Sequence, residues 1–164
     1  MAETVKQTQG TVARVARPIY LLLFPIPIVC FLAAPITDIA YSASAFLMWL
    51  HFSEWLIATG LAFGALAALA LLIEFLANDA IRARASGWAH LALFYLVLVV
   101  ELFNAFVHTV DGWTAVVPIG MSLSIVGAIL ALAAAGTLFL LPVAVGRAPG
   151  GAAMTRVAHP GMRP

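Results

Sequence analysis

The chain has 164 residues, of which 64% are hydrophobic and only 9% charged, with a formal net charge of +1. Soluble domains run at about 45–50% apolar and about 25% charged, so this is the composition of a membrane protein. The weak, scattered positive charge excludes a nucleic-acid partner, which needs a basic patch facing several phosphates, and the apolar runs leave no room for a soluble catalytic domain.

Residues 1–17 read as a loose cytoplasmic arm carrying Lys6, Arg14 and Arg17, with Pro18 placed for the first turn of a helix. The first apolar run, 19–41, is long enough to span a bilayer core that takes about 20 helical residues. Pro25, Pro27 and Pro35 interrupt its hydrogen-bond ladder, so a bent helix is expected. A basic start, an apolar run and Ala43-Ser44-Ala45 also resemble a secretory signal. The run is too long and too rich in proline for that, and it is kept as a span. Cys30, the single cysteine, falls inside it as a packing residue without an intrachain disulfide.

The second run, 48–77, enters through Trp49, His51, Phe52, Glu54 and Trp55, an interfacial composition. Gly60, Gly64 and Ala68 place small residues on one face and let a neighbouring helix approach closely. The stripe is read as an intramolecular packing groove, with a homodimer face as the alternative. A link over 78–87 carries Asp79, Arg82 and Arg84. The third run covers 88–110 and the fourth 115–145, joined by so short a connection that the two must be antiparallel neighbours. Gly127, Ala131 and Ala135 give the fourth a stripe of small residues, and Pro142 with Gly146 ends it. Residues 147–164, rich in Gly, Ala and Pro, read as a disordered cytoplasmic tail. The expected fold is all-α, an integral membrane four-helix bundle of up-and-down topology occupying residues 18–146.

All eight basic residues precede the first run, lie between the second and third, or follow the fourth. An even number of spans puts them on one side, which the positive-inside rule makes the cytoplasm. The expectation is a multi-pass protein of the bacterial cytoplasmic membrane with both termini inside.

The ionisable residues then sort by depth. Near the outer face come Asp38, His51 and Glu54, then His108 and Asp111, with Glu101 and Asn104 deeper in the third run. Glu101 and His108 are nearly two turns apart and project from one helix face. On the inner side are Glu74 and Asp79, with Arg82 and Arg84 as expected partners, and His90 one turn into the third run. Three readings of the outer group compete. His51 and His108 would ligate a haem iron, as paired imidazoles do in b-type cytochromes. His51 with Glu54 and His108 with Asp111 would bind a divalent metal as i, i+3 pairs, with Asp38 close by. Or these groups bond to water, caps and each other and fix helix register. Haem b is thus the organic cofactor entertained, and a divalent metal its alternative. Glu101, costly at its depth by roughly 2.5–3.5 kcal/mol if charged, is expected to be neutralised or bonded to Asn104, Ser122 or Ser124, with a proton or cation step as the functional alternative. No phosphate loop, GxSxG, HExxH or CxxC is present.

The stretches FPIPIVCFLAAPITDIAY, GWAH and VHTVDGWTAVVPIG, over about residues 20–140, resemble a bacterial family of predicted inner-membrane proteins known as domain of unknown function twenty-two thirty-one. The matching positions are Pro25, Pro27, Thr37, Asp38, Trp88, His90, His108, Asp111, Trp113, Thr114, Pro118 and Gly120. The resemblance implies four spans and no established activity. Some members look to be associated with periplasmic sugar-type dehydrogenases, which by analogy favours electron transfer. His51 and Glu54 stand outside the pattern, and GTLFLLPVAVGRAPG replaces the family's aromatic and basic ending. The function expected is a non-enzymatic subunit or helper of a membrane complex, with other membrane or periplasmic subunits as partners and a redox protein as one it would dock. The alternatives are a haem-binding subunit passing electrons from a periplasmic donor to quinone, and proton or metal-ion transport.

Overall fold

The computed structural model describes residues 1–110 and 112–141. Its helices are α1 (Ala2–Leu23), α2 (Pro25–Ser44), α3 (Leu47–Ala77), the short α4 (Asp79–Arg82), α5 (Ala85–His108), the short α6 (Gly112–Val116) and α7 (Ile119–Leu138). Four stretches are long and apolar enough to cross a membrane: Glu3–Ser44, Leu47–Ala77, Ala85–His108 and Thr114–Leu138. Packing runs from α2 to α3, α3 to α5, α5 to α7 and α7 back to α2. The spans therefore close into a ring in which sequence neighbours are antiparallel, an up-and-down four-helix bundle.

Of residues 1–17, read from the sequence as a loose arm, all but Met1 are helical and belong to α1. No proline or paired glycine interrupts them, the Thr8 and Thr11 hydroxyls donate back to the carbonyls of Thr4 and Gln7, and the helix packs on α3. Pro18 consequently lies inside the helix rather than at its start. The ladder breaks instead at Phe24, because Pro25 and Pro27 have no N–H to donate. Phe24 itself keeps right-handed helical angles, φ −56° and ψ −39°. A second break falls at Pro118, so α7 starts later than the expected fourth run.

The bundle is organised by seams. In α3 the buried residues include Leu50, Ser53, Ile57, Gly60, Gly64, Ala67, Leu71 and Glu74; in α5 they are Gly87, His90, Phe94, Val97, Glu101, Asn104 and His108. Both series alternate steps of three and four, the spacing that keeps one stripe facing a partner in a left-handed bundle. In α7 the series is Gly120, Ser124, Gly127, Ala131 and Ala134, with Ala128 beside it.

One antiparallel register fits four contacts between the first span and α3: Asp38 meets Ser53, Phe31 covers Gly60, Pro27 lies on Gly64 and Arg17 meets Glu74. The register passes through the Phe24 break unchanged. Gly64 also lies against Leu98 of α5, so this stripe, with buried Ala68, faces inward. The Phe31 ring occupies the place where a side chain on Gly60 would stand. Gly60→Val is therefore expected to destabilise the bundle by about 1–3 kcal/mol through overpacking. Thermal unfolding in detergent checks this, and an unchanged midpoint would contradict the packing.

The middle of the bundle is apolar and tight. Phe31, Ala67, Phe94, Val97, Ala131 and Ala134 have no exposed surface. The polar residues are set above and below this layer.

Candidate functional site

Arg14, Arg17, Arg82 and Arg84 lie at one end of the bundle, the basic end; at the other, the far end, α2 turns into α3 and α5 into α6. Each end holds a buried polar layer against the apolar middle. His90 and Glu101, one in each layer, are eleven residues apart on α5, or about 16 Å along the axis at 1.5 Å per residue.

In the basic layer, Arg17 of α1 donates to Glu74 of α3 at 3.0 Å, with side chains 18% and 2% exposed. This corrects the expectation that pairs Glu74 with Arg82 or Arg84. Because α1 continues without a break from Arg17 into the bundle, the guanidinium is carried along the seam to Glu74, while Arg82 pairs with Asp79 within α4. Beside this pair, Tyr20 Oη and His90 Nε2 are 2.6 Å apart and His90 Nδ1 and Thr137 Oγ1 2.8 Å apart. Thr137 donates its hydroxyl hydrogen to the Ala134 carbonyl, so it accepts from His90 Nδ1, and Nε2 of the neutral ring accepts from Tyr20.

The far layer draws on all four spans. Asp38 of α2 is fully buried, and its Oδ1 accepts from Ser53 Oγ of α3 at 2.5 Å and lies 3.1 Å from His108 Nε2 of α5. Its Oδ2 accepts from Ser124 Oγ of α7 at 2.6 Å. Thr37 Oγ1 donates to the Ala34 carbonyl at 2.8 Å and lies 2.6 Å from Ser53 Oγ. His108 Nδ1 donates to the Asn104 carbonyl at 3.0 Å. One hydrogen remains between Nε2 and Oδ1, and held on the ring it makes an imidazolium–carboxylate ion pair.

Asn104 Nδ2 has two hydrogens and uses both, to Ser124 Oγ at 2.9 Å and to Glu101 Oε2 at 3.1 Å. Of the partners expected for Glu101, the bond is thus to Asn104. Ser124 joins through Asn104, while Ser122 turns back to the Pro118 carbonyl. Among the described residues, Glu101 Oε1 and Asn104 Oδ1 are the two buried side-chain polar atoms without a hydrogen-bond partner.

Room for these groups comes from α7. Gly127 stands where any Cβ would fall on the Glu101 carboxyl, Gly120 makes space for the His108 ring, and Ser124 faces Asn104. Large polar residues on α5 are thus matched by small ones on α7 in one antiparallel register. Signal for this is present in the sequence as two series of three-four spacing that read in opposite directions. Thr37, Ser53, Gly120, Gly127, Arg17, Tyr20 and Thr137 are not assigned to a site by the sequence alone, because hydroxyls and glycines carry no motif until a register pairs them.

Two of the candidates named from the sequence fall elsewhere. His51 and Glu54 bond to each other at 3.1 Å with side chains 60% and 36% exposed, at the rim beside Trp49, Phe52 and Trp55. His51 follows the seam residue Leu50 and is turned away from the interior by about 100°, the rotation of one helical residue. The structure therefore does not bring it together with His108, which is 1% exposed and has both ring nitrogens engaged. Asp111 lies outside the described residues, as does the expected tail. Among the described residues no three His, Cys, Asp or Glu side chains gather as a metal site. A groove of about 520 Å³ between α1 and α3 is lined by apolar residues such as Val15, Ile19, Leu66 and Ile73, with no ionisable side chain.

No curated protein and no solved structure matches the chain. A family model described as Predicted membrane protein (DUF2231) matches residues 16–139, a stretch that begins beside Arg17, ends beyond Thr137 and so contains both polar layers. The chain belongs to the predicted membrane protein family DUF2231.

Proposed function

We propose that the protein is a small non-enzymatic subunit of a bacterial inner-membrane complex, and that its own contribution is to take up and release a proton in the far layer. The observation that carries this is the convergence of four spans on one buried carboxylate, Asp38, paired with a titratable ring, His108. Ionisable groups in a membrane interior are costly and, where present, mark proton and ion steps. Imidazole is the side chain suited to gaining and losing a proton near neutral pH.

The direction of exchange follows from packing and charge. Phe31, Phe94 and Val97 shut the far layer off from the basic end. Arginine clustering makes the basic end cytoplasmic by the positive-inside rule. The far layer then exchanges with the periplasmic side and acts as a proton store rather than a channel. A redox partner meets the exposed rim of Trp49, His51, Phe52, Glu54 and Trp55, which mixes aromatic and titratable groups.

The test is proton uptake by the full chain in nanodiscs, read with a pH dye as the medium is stepped from about pH 8 to about pH 5. His51→Ala serves as background, since that ring stands exposed at the rim, outside the layer. Adding Glu101→Gln and His108→Gln is expected to lower the uptake by about one proton per chain. Equal uptake by the two proteins would reduce the layer to a structural lock.

A further inference from the structure

Among the described residues, the far layer lacks one positive charge and one hydrogen-bond donor, and both shortages fall at the same place. Asp38 and Glu101, if both ionised, bring two negative charges. His108, donating from both nitrogens, brings one positive charge. From the other elements packed here, α3 brings Ser53 and α7 brings Ser124 and Gly127, all uncharged; the Glu54 carboxylate of α3 is occupied with His51 at the rim. The donor count agrees. Asp38 receives Ser53, Ser124 and His108, whereas Glu101 receives Asn104 alone, at Oε2. The acceptors left over, Glu101 Oε1 and Asn104 Oδ1, are both wholly buried.

We infer that Glu101 is a proton-binding site, an un-ionised carboxyl protonated at Oε1 and seated in a notch made by Gly127. A single hydrogen on Oε1 supplies the missing charge and the missing donor together. A metal cation would neutralise the layer as well, but it needs several oxygen ligands around it and room among them. Oε1 instead lies in a notch where not even a methyl group fits. The two carboxyls thus hold opposite states because their surroundings differ: three donors keep Asp38 an anion, and a single donor leaves Glu101 an acid. In the proposed function this carboxyl and the His108 ring take up and release the proton together, beside the fixed charge of Asp38. Only that use rests on the proposed function; the state of the carboxyl does not.

Infrared spectroscopy of the full chain in nanodiscs reads the state directly, through the C=O stretching band of an un-ionised carboxyl group that shifts in heavy water. The band is expected at neutral pH, to disappear in Glu101→Gln and to survive in Asp38→Asn. Gly127→Ala, which pushes the carboxyl from its notch, is expected to shift the band while leaving a folded protein; if this variant does not fold, Glu101→Gln alone decides. A band lost in Asp38→Asn and kept in Glu101→Gln would place the proton on the other carboxyl and overturn the inference. So would a band that appears only when sodium is withheld, since the site then holds a cation. A Glu101-dependent band without dye-detected uptake would sink the proposed function and leave the assignment standing. Uptake with a spectrum indifferent to Glu101→Gln would do the reverse.

Discussion

Asp38→Ala is expected to destabilise the bundle by about 3–5 kcal/mol, the range for removing one partner of a buried ion pair. The loss exceeds that of a single contact because three donors from three other spans, on Ser53, His108 and Ser124, lose their acceptor in a place water does not reach. Asp38→Asn keeps an oxygen for two of these donors and costs less. His51→Ala, at the exposed rim, is expected to stay within about 0.5 kcal/mol of the parent. Chemical unfolding in detergent micelles orders the three variants. An Asp38→Ala protein as stable as His51→Ala would show that the convergence on Asp38 does not hold the spans together.

Arg17→Ala carries the second large effect, about 3 kcal/mol, because it strands the Glu74 carboxylate, 2% exposed, without its cation. The reverse change should cost less. Arg17 is 18% exposed and has a long flexible stem, so without Glu74 its charged head can move toward water at the basic end. The expected order is therefore Arg17→Ala below Glu74→Ala in stability, with Arg17→Ala/Glu74→Gln recovering much of the loss. A midpoint for Arg17→Ala equal to the parent's would mean that residues 1–17 do not dock as a helix.

This last pair also marks how far the sequence can be read. The number of spans, their order and the placing of the described basic residues at one end follow from apolar run length and charge, which act locally, and the structure keeps them. That Glu101 and His108 share a helix face also follows, since their separation is nearly two whole turns. Partners do not follow in the same way. Nearness in sequence favours Arg82 or Arg84 for Glu74, but Arg17 stands three heptads before Asp38 and Glu74 three heptads after Ser53, so one register makes both contacts. His51 has the chemistry of an inward-facing site residue, yet it lies one step off the seam that Leu50 and Ser53 define. Residue type suggests the site; only phase along the helix decides which residues enter it.

The seam of α5 makes its length as constrained as its composition. His90 stands on one side of the Phe94 and Val97 layer, and Glu101, Asn104 and His108 on the other, all on a single stripe. One extra residue between Val97 and Glu101 would rotate everything beyond it by about 100°, turning a carboxyl, an amide and an imidazole from the interior toward the lipid while leaving hydropathy almost unchanged. Lineages carrying this layer should therefore tolerate many point changes among the lipid-facing positions of α5 but no insertion or deletion inside it. Length variation has its place in the turns, where a change of phase moves no buried group.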